Sequence, residues 1–223
     1  MTEISAALVK QLRELTGAGV MDAKRALVES RGALEPAREI LRRKGMADAT
    51  KRSGRTVREG LVDAYLHPGG RVGVLLEVNC ETDFVARTEP FRALVHDLAL
   101  QIAAHSPEYV RREQVPAAIV EREQRISRGQ AEDQGKSAQI AERMTTGKME
   151  AFYQQVCLYD QPWIRDEGNR RRKVEEVVRE VASTLGEHLD VARFTRYTLG
   201  ESAGDGGPEP KGDPGGTGGA VRA

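Results

Sequence analysis

The apolar residues of this chain change their period at about residue 59 and change it back before residue 91, and this switch limits the fold more than any other feature. Ile4, Leu8, Leu12 and Leu15 recur at helical spacing, and so do Val20, Ala23 and Leu27, followed by Ile40 and Leu41. Three short helices are expected over residues 4–44. Thr2 stands at the N-cap position of the first, and Gly17-Ala18-Gly19 supplies a stop and a tight turn. Gly32 follows the second helix. Pro36 sits in the first turn of the third, where a missing N–H is harmless, and Gly45 is read as its end. Over residues 59–79 the period becomes two. Leu61, Asp63 and Tyr65 alternate with Val62, Ala64 and Leu66, His67-Pro68-Gly69-Gly70 makes a turn, and Arg71–Val78 is β-rich. This is a strand–turn–strand hairpin.

Residues 80–88 read as irregular. Phe91, Leu94, Val95, Leu98 and Ile102 then mark an amphipathic helix after Pro90, ended by Pro107. Residues 116–156 are helical and highly charged, with Gly129 and Gly135 as interruptions and too few apolar groups to join a central core. A projecting helical hairpin at about 116–147 follows. Val174, Val177, Val178, Val181 and Leu185 define another helix, stopped by Gly186, and Val191–Leu199 is a final strand. The expected fold is α+β. A three-helix module occupies 1–53, and a core of 54–200 holds a small antiparallel three-stranded sheet packed with helices. The Gly/Pro-rich tail, 201–223, has nothing to bury and is expected to be disordered.

Lys plus Arg and Asp plus Glu both total 34, so a globally basic nucleic-acid binder is excluded. No apolar run reaches the roughly 18–20 residues of a membrane span, and Met1–Ser5 lacks the basic and apolar regions of a signal peptide. The only two cysteines, Cys80 and Cys157, are far apart. They read as small buried residues in a reducing, cytoplasmic setting. His67, His96, His105 and His188 are scattered, so no metal site and no cofactor are expected, and no nucleophile–base motif marks an enzyme. Between residues 38 and 58, eight cations (Arg38, Arg42, Arg43, Lys44, Lys51, Arg52, Arg55, Arg58) face only Glu39 and Asp48. Residues 45–58 read as a solvated linker, with no aromatic residue to stack a base. With Arg170–Lys173, this segment supports an alternative function, an RNA-binding accessory of the ribosome. Steep salt dependence would identify it.

The unusual segment is Asn79-Cys80-Glu81-Thr82-Asp83-Phe84-Val85-Ala86-Arg87, at the junction of strand and helix. In one reading Asp83 forms a local turn and Phe84 enters the core. In the other, the loop presents an acid and an aromatic side by side to a partner.

Two long motifs carry a resemblance. Leu12-Arg13-Glu14-Leu15-Thr16-Gly17-Ala18-Gly19-Val20-Met21-Asp22-Ala23-Lys24-Arg25-Ala26-Leu27 resembles the first signature of the bacterial elongation factor Ts family, and Glu77–Ala86 resembles its second. Lys148-Met149-Glu150-Ala151-Phe152 with Gln161-Pro162-Trp163, and then Val191–Tyr197, are similar to its C-terminal regions. The likeness runs in order over about residues 2–200. It implies a nucleotide exchange factor for GDP-bound elongation factor Tu, acting by binding alone. The N-terminal module would resemble a ubiquitin-associated fold and dock on the GTPase through Leu12, Arg13, Val20, Met21 and Lys24. Many members have Met where this chain has Val20. Thr82, Asp83, Phe84 and Val85 would disturb the partner's phosphate site and displace its magnesium. One hairpin-plus-helix unit, where longer members carry two, implies the short form, which is associated with homodimers. No membrane and no direct nucleic-acid contact are implied.

Overall fold

The computed structural model describes residues 4–52, 54–135, 137–166 and 171–201. Thr2 lies outside them, and Ser5 caps the first helix, α1 (Ala6–Thr16), its hydroxyl accepting the Leu8 N–H at 3.2 Å. Gly17 ends α1 at φ 67°, a left-handed conformation that costs glycine little. Helix α2 (Val20–Glu29) follows, and Val9, Leu12, Ala23, Ala26 and Leu27 close a small core with Ala37 and Leu41 of the third helix.

Helix α3 (Leu34–Arg52) does not stop at Gly45; it continues through a segment expected to be linker. Ala47, Ala49, Lys51 and Arg52 are good helix formers, and the reason for the glycine is steric. A Cβ at residue 45 would lie 2.0 Å from Ser183 Oγ and 3.0 Å from Ser183 Cβ on a neighbouring helix. Gly45 therefore marks a close approach of two helices.

Strands β1 (Glu59–Leu66) and β2 (Val72–Cys80) form the expected hairpin, and β3 (Asp190–Thr198) adds to the other edge of β2, giving the antiparallel order β1-β2-β3. The register pairs Leu61 with Val78 and Tyr65 with Val74, and Leu76 with Phe194, so these residues share a face. A bulge at Glu77/Val78 lets Val78 pair with Val191 while Ala192 is skipped. Helices α4 (Asp83–Ala86), α5 (Glu89–His105) and α8 (Val174–Leu185) lie on that face. Val74, Leu76, Val78 and Cys80 pack there on Phe91, Leu94, Val95, Leu98 and Ile102 of α5, with Val174, Val177, Val178 and Ala182 of α8. The segment expected to be irregular, 80–88, thus contains the single turn α4.

Helices α6 (Ala117–Asp133) and α7 (Ala138–Val156) form the helical hairpin, which runs further than residue 147. Gly129 lies inside α6. One glycine costs a helix about 1 kcal/mol, too little to break seventeen residues. The turn falls at Gly135, φ 64°. The base of the hairpin is anchored by Val115, Val156 and Cys157, and by Arg112, which bonds both Glu150 and Asp160. Burial pushes the Asp160 carboxyl up, but Arg112 and Lys173 together hold it below its ordinary range. The Gln161-Pro162-Trp163 motif is structural. Gln101 Nε2 donates to Gln161 Oε1 at 3.1 Å and Gln101 Oε1 accepts the Ile164 N–H at 2.8 Å, so this buried pair is satisfied.

Among the described residues no helix is long and apolar enough to cross a membrane. The tail expectation for 201–223 falls, Glu201 apart, outside the described residues.

Candidate interaction site

Strand β2 ends on buried Cys80, whose thiol donates to the Thr82 carbonyl at 3.1 Å. Burial, with Glu187 nearby, pushes that thiol up to about 11. Thr82 caps α4, its hydroxyl accepting the Val85 N–H at 3.4 Å. Val85 and Ala86 point into the main core and anchor the turn. Successive helical residues rotate by about 100°, so the residue before this anchor is turned outward. Phe84 is 78 % exposed, more than any other large apolar side chain among the described residues. Asp83 lies half-buried beside it, its carboxylate 2.8 Å from Arg87. Of the two readings of this loop, the outward-facing one describes Phe84. Val85, the last residue of the Thr82–Val85 segment, has its side chain in the core.

The loop is tied to the end of α8 by two carboxylates, one from each segment. Helix α8 ends at Gly186, φ 76°, and the next residue turns back onto the loop. Glu187 accepts the N–H groups of Glu81 and Thr82 at 3.0 and 3.1 Å and the Thr82 hydroxyl at 2.5 Å. Glu81 in turn accepts the His188 N–H at 2.7 Å and an Arg55 guanidinium nitrogen at 3.2 Å. The His188 amide, then Arg55, holds the Glu81 carboxyl below its ordinary value, although partial burial opposes them. Glu187 and Arg55 were not legible as site residues. They lie 106 and 26 positions from Glu81, and neither belongs to a motif.

In the helical module, Arg13, Val20, Met21 and Lys24 are exposed around the Gly17–Gly19 turn; Val20 is 50 % and Met21 64 % accessible. Arg13 Nε donates to the Ala18 carbonyl at 3.3 Å, bracing the turn. Leu12 is a correction. It is fully buried in the module core and has no side-chain surface to offer a partner. Leu15, read as an apolar position of the first helix, is instead exposed, as is Val28.

The module rests on α8. Arg42 bonds Glu180 at 3.3 Å, and a Cβ at Gly17 would meet Thr184 Cγ2 at 2.8 Å. Much of the basic 38–58 segment is neutralised. Arg38 lies on Glu35, Arg42 on Glu180, Lys44 on Asp22, Lys51 on Asp48 and Arg55 on Glu81. Arg172 and Lys173 sit on Asp166, Glu180 and Asp160, and Arg170 lies outside the described residues. Cations already paired with carboxylates make a poor phosphate track, so the RNA-binding alternative loses its main support.

A family model described as "Elongation factor TS" matches residues 48–201. Similar proteins named elongation factor Ts extend the likeness through the helical module. The chain is 53 % identical to that of Desulforamulus reducens over 201 residues, covering 90 % of this chain and 91 % of the relative. It is 54 % identical to that of Moorella thermoacetica over 198 residues, 89 % of this chain and 96 % of the relative. It is 51 % identical to that of Thermotoga sp. strain RQ2 over 203 residues, which span 91 % of this chain and the whole of the relative.

Proposed function

The chain belongs to the elongation factor Ts family, non-enzymatic nucleotide exchange factors of elongation factor Tu in translation elongation, and from that premise we propose that the Thr82–Val85 turn carries the exchange step. Phe84 is the wedge that enters the GTPase, Asp83 is the charge set against its magnesium and phosphate region, and Thr82 and Val85 hold the turn. The observation that carries this reading is the 78 % exposure of Phe84 on a turn whose next two residues are buried. A large aromatic held in water has no folding role, and such residues are the usual anchors of interfaces.

Arg13, Val20, Met21 and Lys24 supply the docking contact on the GDP-bound factor, and Leu12 shapes that surface from beneath. The mechanism is a coupling free energy. The wedge binds the nucleotide-free GTPase better than the GDP-bound one, so it weakens GDP by the factor by which GDP weakens it. Cytoplasmic residence, and assembly as a homodimer through the sheet face opposite α5 and α8, belong to the same reading. The test is release of labelled GDP from GDP-loaded elongation factor Tu, catalysed by the intact chain and by its Phe84→Ala variant.

A further inference from the structure

The two crossed carboxylates under the loop have a feature the fold does not require. Val85 and Ala86 already anchor α4 in the core, and Cys80 already ends β2 there. The Glu81 and Thr82 amides lie near the surface, where water would satisfy them if Glu187 were absent. Yet Glu187 takes both amides and the Thr82 hydroxyl on its two oxygens, while Glu81 takes the first amide after Glu187. Each segment thus holds the other's backbone. The residue so fixed, Thr82, caps the single turn that carries Asp83 and Phe84. Fixing the cap fixes the direction in which Phe84 leaves the surface.

We infer that Glu187 is a positioning residue for nucleotide exchange: its carboxylate holds the Glu81–Thr82 backbone so that Phe84 is presented in the orientation the GTPase accepts. This rests on the reading of the Thr82–Val85 turn as the exchange element. The geometry also supplies a route for partner docking to reach the loop. The module rests on α8 through Arg42, Gly17 and Gly45, and α8 leads through Gly186 directly to Glu187. A wedge held in advance loses less freedom on binding, so the clamp acts on the rate of GDP release more than on folding.

The experiment is a double-mutant cycle on the full chain, with GDP release followed over a range of factor concentrations. Glu187→Gln keeps the shape of the side chain but removes the charge and one acceptor. It should slow release about tenfold with the melting temperature nearly unchanged, and amide exchange at Glu81 and Thr82 should accelerate. On a Phe84→Ala background the same change should have almost no further effect, because a lost wedge needs no aiming. Thr82→Val deletes one of the three donors together with the hydroxyl cap of α4 and should also slow release, and Glu187→Ala, which leaves that cap in place, completes the cycle if Glu187→Gln does not fold. Full-rate release by both Glu187→Gln and Thr82→Val overturns the inference. So does a loss that multiplies with that of Phe84→Ala, the mark of a general structural role. Wild-type release by Phe84→Ala is a different failure: it removes the exchange reading of the turn, and the positioning role with it.

Discussion

Phe84 and Cys80 are four residues apart and stand at opposite extremes of exposure, and each makes a prediction from that fact. Truncating an exposed anchor removes binding and leaves packing alone. Phe84→Ala should therefore keep its melting temperature within about 1 °C, while GDP release per folded molecule falls about tenfold or more. A sharp drop in melting temperature with exchange intact would return Phe84 to the core. Asp83→Ala should lose less, because that carboxylate is already engaged by Arg87. Cys80 and Cys157 are buried, and burial is the main reason both thiols are pushed up to about 11. The thiolate is the reactive form, and at pH 8 it amounts to about 0.1 % of such a thiol. The folded protein should leave a disulfide reagent uncoloured at pH 8, and unfolding in guanidinium should release two equivalents. Fast modification of either cysteine in the folded protein would show that its site opens.

At the scale of elements, the seam between α3 and α8 makes the sharper test. Alanine is normally better than glycine inside a helix by about 1 kcal/mol. At position 45 the added methyl meets Ser183, so Gly45→Ala should instead cost about 1 kcal/mol of stability, read as a lower denaturation midpoint. Ser183→Ala alone should be near neutral, and the double variant should recover only part of the loss, because Ser183 Cβ still stands 3.0 Å from the added methyl. Simple stabilisation by Gly45→Ala would mean that the two helices stand further apart. The same glycine shows where reading the sequence stops. Hairpin, α5, α8 and final strand were legible because each carries its own period, and Gly186 ended its helix where expected. Gly45 was misread because an end and a close approach use the same residue, and only the partner helix, 138 positions on, tells them apart. The Thr82–Val85 turn was legible as a motif, and the exposure of Phe84 was one of two readings left open. The clamp was not legible: an acid that accepts backbone N–H groups more than a hundred residues away leaves no local pattern. Leu12 carried the motif, but the helical period also made it core, and burial decided between the two.

The described residues form one sheet and cover one of its faces. Leu61, Tyr65, Val74, Leu76, Val78 and Val191 meet α5 and α8. On the opposite face the register brings Leu66, Gly73 and Tyr197 into one row and Ala64, Leu75 and Thr195 into the next. Val62, Leu66, Leu75 and Tyr197 are all exposed there, and Leu199 beyond the end of β3 is exposed as well. Within the Val72–Leu76 run Val72 is half-buried, Val74 and Leu76 face the core, and Leu75 is the member left outside. The polar end of the face carries the Glu77–Arg193 pair, 2.8 Å apart, so the apolar surface is a bounded patch. A patch of that kind is suited to a second apolar surface. A second copy turned about a two-fold axis sets patch on patch and closes the assembly with no surface left to propagate. We therefore expect a homodimer of about twice 24.5 kDa that engages two GTPases. Light scattering over a dilution series should hold that mass into the micromolar range. Leu75→Lys places a charge at the centre of the patch without touching the core, because its neighbours Val74 and Leu76 carry the packing. It should give a folded monomer with unchanged far-ultraviolet dichroism. A wild-type chain that is already monomeric at micromolar concentration and fully active in GDP release would remove the dimer and leave the exchange turn standing on its own.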